Sequence, residues 1–203
     1  MKYPEFTYRF QYFDADFIPY PTKGYVADMS LSRKGLFNSD VGMWQLVART
    51  SASWPLNDKY FFNLRTTAML RLPFKQPYVN QRFLGGSDLF LQGYESYEID
   101  GVAGGFTKAT FTRKLLQTAI HLPFTQIKKI STIPIKVYGK VYGNAGYVYA
   151  ENVDPSNNLN NRLIYSGGVG LDIVLFYDLA LKLEWSWNQL HQNGLYLHDR
   201  RYL

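Results

Sequence analysis

The chain has 203 residues, no cysteine and a formal net charge of +6, with 19% charged and 17% aromatic residues. The missing cysteines exclude a disulfide framework and thiol chemistry. A soluble domain carries about 25% charged residues, so this balance points to a surface that meets lipid, or to a soluble all-β protein with a Tyr-rich sheet.

No apolar run approaches the roughly 20 residues that a membrane-spanning helix needs. The N-terminal MKYPEFTYRF has no apolar leader core. An outer-membrane protein requires such a leader, so the expectation is a fragment, or a chain whose N-terminal part lies elsewhere. The tight basic pairs are Arg33-Lys34, Arg113-Lys114, Lys128-Lys129 and Arg200-Arg201. They are too scattered for a nucleic-acid surface.

From end to end the pattern is strand, turn, strand. A first strand is expected over Glu5–Phe13, and a Pro-rich turn, DADFIPYPTKGY, leads to a second from Tyr25 to Arg33. After the loop Lys34–Asp40, a third strand runs over Val41–Trp54 and stops at Pro55. Leu56–Lys59 makes a tight turn into a fourth, Tyr60–Leu72. The segment Phe74–Gly101 lacks strand periodicity but is rich in Tyr, Phe and Leu, which predicts a packed loop with a function. Further strands follow at Ala103–His121, Ile133–Tyr149, Arg162–Phe176 and Leu179–Gln189, with a short last one at Gly194–His198.

Period-2 alternation is clearest in LKLEWSWNQL. Leu181, Leu183, Trp185 and Trp187 share one face; Lys182, Glu184, Ser186 and Asn188 share the other. Several strands exceed the 5–6 residues usual in soluble sheets and reach the roughly 9–11 of a membrane strand. Short turns fall on one side and longer loops on the other, as in outer-membrane barrels. The fold class expected is all-β, a transmembrane antiparallel β-barrel of about nine strands, in a single domain with a long loop folded into the lumen at 74–102.

Three segments add a resemblance: FIPYPTKGY at Phe17–Tyr25, FLGGSDLFLQGY at Phe83–Tyr94 and YGNAGYVY at Tyr142–Tyr149. In order and spacing they resemble a periplasmic turn, the tip of the sixth extracellular loop and a late-strand motif of the BamA/TamA/FhaC superfamily, the bacterial surface antigen family. The resemblance covers nearly the whole chain and implies strands eight to sixteen of a sixteen-stranded barrel. The family's loop-tip Arg falls on Gln92, and its acidic partners in the lumen wall fall on Gln117 and Asn144. The resemblance therefore implies a loop-anchoring network of Gln92, Gly93, Tyr94, Gln117 and Asn144. Charges are replaced by amides, which can donate to and accept from one another.

Gly24, Gly85, Gly86 and Gly93 are expected at turns that need positive φ. Enzyme readings find little support. His121, His191 and His198 lack metal-ligand spacing, and Gly85-Gly86-Ser87-Asp88 has no nucleophile-elbow context. Glu95 and Glu98 read as a solvated pair, and Asp172 and Asp178 have no evident partner. No catalytic residue, metal or cofactor is expected.

The resemblance implies a place in the bacterial outer membrane and a function in assembling β-barrel proteins or translocating polypeptide. The expected partners are outer-membrane lipid, client β-barrels or secreted polypeptides, and the N-terminal barrel strands or another chain that supplies them. In the insertase version, Gly194, Leu195, Tyr196, Leu197 and His198 form a seam that takes in an incoming strand. The alternatives are a small closed barrel of eight strands acting as pore or anchor, a transporter for one partner, and a soluble sandwich.

Overall fold

The computed structural model describes residues 4–16, 20–35, 42–85, 89–121, 132–151, 158–175 and 179–198. The strands are β1 (Glu5–Ala15), β2 (Gly24–Lys34), β3 (Met43–Pro55), β4 (Tyr60–Leu72), β5 (Arg82–Leu84), β6 (Ile99–Asp100), β7 (Ala103–His121), β8 (Thr132–Tyr149), β9 (Leu163–Val174), β10 (Ala180–Asn188) and β11 (Asn193–His198). Nine of them form one antiparallel meander in the order β1-β2-β3-β4-β7-β8-β9-β10-β11. The other two, β5 and β6, pair inside the long loop between β4 and β7. The expected packed loop thus contains a short strand pair that the sequence of Phe74–Gly101 gave no periodic sign of.

The two faces of the sheet settle what surrounds it. On β10, Lys182, Glu184, Ser186 and Asn188 are buried, whereas Leu183, Trp185 and Trp187 are exposed. Glu184 and Asp172 are each 1% exposed, while Leu195 and Leu197 on β11 are 68% and 70% exposed. Phe6, Tyr8, Phe10 and Tyr12 line the outside of β1 in the same way. A soluble sandwich would bury the aliphatic face. This sheet buries the polar one, as a wall between lipid and lumen does. The inner face lines an open cavity of about 970 Å³, with Arg49, Arg65, Lys108, Lys182, Asp28 and Glu184 among its walls.

Direction follows from count. Nine antiparallel strands leave β1 and β11 running the same way, and no described strand pairs with the outer edge of either. Direct closure of β1 on β11 would be a parallel pairing. An all-antiparallel barrel needs an odd number of further strands.

Gly24 opens β2 at φ +111°, and a Cβ there would sit 2.1 Å from the carbonyl oxygen of Asp14. Gly143, on the outer face of β8, has nothing within 4 Å of such an atom. Gly24→Ala should therefore destabilise the folded protein by about 2 kcal/mol, and Gly143→Ala by no more than about 0.5 kcal/mol. Denaturant unfolding in lipid or detergent measures both.

Candidate functional site: the infolded loop and its wall

The loop between β4 and β7 packs its apolar side chains on the inner wall. Phe83, Leu84, Leu91, Tyr94 and Ile99 form one buried cluster with Val47, Met69, Phe106, Val148, Leu159 and Ile164. Arg71 of β4 ties down the base of the loop, donating to the carbonyls of Gly101 (3.2 Å) and Arg82 (2.9 Å). Gly85 donates its N–H to the Leu89 carbonyl at 2.8 Å, closing a turn. Gly86 lies outside the described residues.

At the tip the backbone itself is held. The Gln92 carbonyl accepts from Ser166 Oγ and, at 3.5 Å, from Asn144 Nδ2. The Gly93 carbonyl accepts from Asn188 Nδ2 at 2.7 Å. Gly93 takes φ +88°, and a Cβ there would come within 3.0 Å of the Ser166 Cβ. Only glycine lets the tip lie this close to the wall. Tyr94 donates its hydroxyl to the Tyr165 carbonyl at 3.1 Å.

The Gln92 side chain points elsewhere. Its Nε2 donates to Glu184 Oε1 at 2.9 Å. Glu184 is also 2.5 Å from Lys140 Nζ, and His198 Nδ1 lies 3.0 Å from its second oxygen. Lys140 is equally close, 2.5 Å, to Asp172 Oδ1. Asp172 accepts a 2.8 Å bond from the hydroxyl of Tyr20, in the turn between β1 and β2. Tyr20 packs there between Phe61 and Tyr138, with ring centroids 5.9 and 4.8 Å away. A chain of polar contacts thus crosses the lumen from the β1–β2 turn to the loop tip. Residues 17–19, which begin the turn motif, lie outside the described residues.

Two expectations are corrected. The anchor is not built of amides alone: a buried carboxylate, Glu184, receives Gln92, and Lys140 neutralises it. Gln117 takes no part. It is exposed and pairs with Lys136, whereas the β7 residue opposite Asn144 is Lys108. Nine positions separate Lys108 from Gln117, about 30 Å along a strand. The 19-residue length of β7 carries Gln117 toward the opposite rim, beyond the bulge between Lys114 and Leu116. Sequence reasoning missed Lys140, Ser166, Glu184, Asn188 and, as a network member, His198. All sit on inward faces that alternation exposes; none announces its partner. Asp172, which had no evident partner in the sequence, has two.

Glu95, beside the tip, accepts a 2.8 Å bond from the Gly93 N–H, and burial pushes its carboxyl above the usual carboxylate range. Glu95, Glu184 and His198 lie close enough together to hold a metal ion. His198 turns Nδ1 to Glu184 (3.0 Å) and Nε2 to Glu95 (3.8 Å).

The Omp85 superfamily domain matches residues 5–175. The chain belongs to the Omp85 superfamily. No curated protein matches it. Among solved structures it is similar to BamA from Haemophilus ducreyi lacking POTRA domains 1–3, with a TM-score of 0.64 at 16% identity. That likeness covers 96% of this chain and 40% of that one. The Omp85 fold places this sheet in the bacterial outer membrane as part of a barrel wall, with its aromatic face to lipid.

Within that Omp85 wall, Glu184→Ala should be costly. It leaves Lys140 with Asp172 alone and His198 with Glu95 alone, and takes from Gln92 its carboxylate acceptor, a loss of about 3 kcal/mol for a broken buried pair. Gln117→Ala should change stability by about 0.5 kcal/mol or less. Equilibrium unfolding compares the two, and protease sensitivity at Gln92–Tyr94 should rise for the first variant alone.

Proposed function

We propose that this chain forms the C-terminal, seam-bearing part of a sixteen-stranded outer-membrane barrel that inserts client β-barrel proteins or translocates polypeptide. The reading draws on the superfamily, whose members act on polypeptides at the outer membrane by binding and rearrangement. The observation that carries it is the pair of open edges. Nine strands with β1 and β11 running in one direction are complemented by seven more, an odd number, to give an all-antiparallel barrel of sixteen. Those seven come from the rest of a longer polypeptide or from a second chain.

The geometry of β11 supports the seam. It has six residues, pairs with β10 from Lys182↔His198 to Trp187↔Asn193, and turns Leu195 and Leu197 to lipid. An unpaired edge in hydrocarbon is expensive, because no water satisfies its N–H and C=O groups. A short strand with a weak grip on its closing neighbour can exchange that neighbour for an incoming strand of the same alternating pattern. The alternative of a small self-closed pore would need β1 and β11 to pair in parallel, against the antiparallel order of every other pair in the sheet.

Crosslinking tests the reading. Cysteine or a photoreactive group at Leu195 or Leu197 should capture nascent outer-membrane client strands during assembly in cells. The same probe at Leu183, one strand inward, should capture far less. Equal capture at both positions, or none at β11, refutes the seam.

A further inference from the structure

The charges of the inner face are unevenly matched. On the late strands they balance: Lys140 meets Asp172 and Glu184, and Lys182 stands opposite Asp172 in the β9–β10 register. On the first hairpin one carboxylate faces two guanidiniums, with Asp28 2.5 Å from Arg9 and 3.3 Å from Arg49. Between these groups lie β3, β4 and β7, and none of the three contains an Asp or Glu. They nevertheless bring Arg49, Arg65 and Lys108 to the cavity.

Arg65 and Lys108 are direct cross-strand partners on β4 and β7. Directly opposed side chains start about 5 Å apart, and like charges so placed repel. The Lys108 ammonium lies over two rings, 4.0 Å from the centroid of Phe90 and 5.4 Å from that of Phe106. A ring face attracts a cation but cancels no charge. Among the described residues, Lys108 forms no ion pair with a carboxylate. The rings also give the cavity a low-dielectric wall beside its cations, and such a wall focuses the field and draws in counter-ions. Further donors stand close by. Ser51 is opposite Arg65 on β3, and Thr110 follows Lys108 on the inward face of β7. A guanidinium fork beside an ammonium suits the several oxygens of a carboxylate or phosphate better than it suits a lone chloride.

We propose that Arg65 and Lys108, with Arg49 beside them, form an oxyanion site on the lumen wall, which takes a carboxylate or phosphate group that enters the lumen. The site needs only the inward polar face of the sheet, so it stands whether or not β11 is the seam. It gives the cavity a preference by charge: an acidic segment or solute is held there, and a basic one is not.

Isothermal titration calorimetry on the full-length protein in nanodiscs of neutral lipid tests the site, at constant ionic strength with chloride as the background anion. Two probes separate the sources of the oxyanion: inorganic phosphate for a free ion and a hexaglutamate peptide for polypeptide carboxylates. At least one should bind, and a hexalysine peptide should not. Arg65→Gln and Lys108→Gln should each weaken binding about tenfold, the share of one charge-assisted hydrogen bond. Arg65→Lys keeps the charge and should lose only about threefold. Arg113→Gln removes an equal charge outside the cavity and should leave the affinity unchanged. Both cavity variants relieve a repulsion, so each should fold. Where one does not, the other carries the comparison, and the bound probe should in any case raise the unfolding midpoint of the unaltered protein. Binding of phosphate alone assigns the site to a free ion, and binding of hexaglutamate alone assigns it to polypeptide. Binding of neither, equal binding of hexalysine, or a loss in Arg113→Gln as large as that in Lys108→Gln overturns the site.

Discussion

Lys140 lies 2.5 Å from Asp172 and 2.5 Å from Glu184, and all three side chains are almost wholly removed from solvent. Removing one member of such a group strands the others in a poorly solvating place, at a cost of several kcal/mol. The loop tip, the first turn and the last strand meet at this group. Glu184 satisfies its remaining capacity with Gln92 from the loop and His198 from the last strand. Asp172 takes the hydroxyl of Tyr20 from the first hairpin. The triad therefore gathers the first turn, the middle strands, the loop and the seam strand into one connected network.

The bilayer explains why the network is inside. A strand in hydrocarbon must turn its apolar residues outward and close its backbone bonds with neighbours. Polar side chains can then meet only in the lumen, and their pairing across it determines which elements stay together. The outer face needs no such pairing, and Leu195, Leu197, Trp185 and Trp187 simply meet lipid. The edges are the unresolved part of this arrangement. β1 and β11 each keep one side unpaired among the described residues, in the same direction, which is the condition under which an odd complement of strands closes the wall.

The sheet was legible in the sequence because its signal is local. Alternation in LKLEWSWN assigns Leu181 to Asn188 of β10 to their correct faces, and Pro55 and Pro73 mark strand ends to within a residue. Turn chemistry placed Gly24 where positive φ is needed. The anchor was legible only in part, because its contacts join residues far apart in the chain. Gln92 and Glu184 are separated by 92 positions, and nothing near either one names the other. Gln117 was misplaced for a related reason. The resemblance assigned it by motif order, which carries no depth: in the 19-residue β7 the register sets Lys108 opposite Asn144 and Gln117 opposite Lys136, at the other end of the wall. The order within the loop, where β5 and β6 pair, had no periodic signature because the strands are three and two residues long.

The central claim is that the sheet turns its apolar face to lipid and its charged face to the lumen. Spin labels placed singly at each position from Leu181 to Asn188, in protein reconstituted in lipid, measure this directly through collision with lipid-soluble oxygen and with a water-soluble nickel chelate. Oxygen contact should alternate with period two, high at Leu183, Trp185 and Trp187 and low at Lys182, Glu184, Ser186 and Asn188. Alternation of the opposite phase, or uniform contact along the strand, would contradict the account.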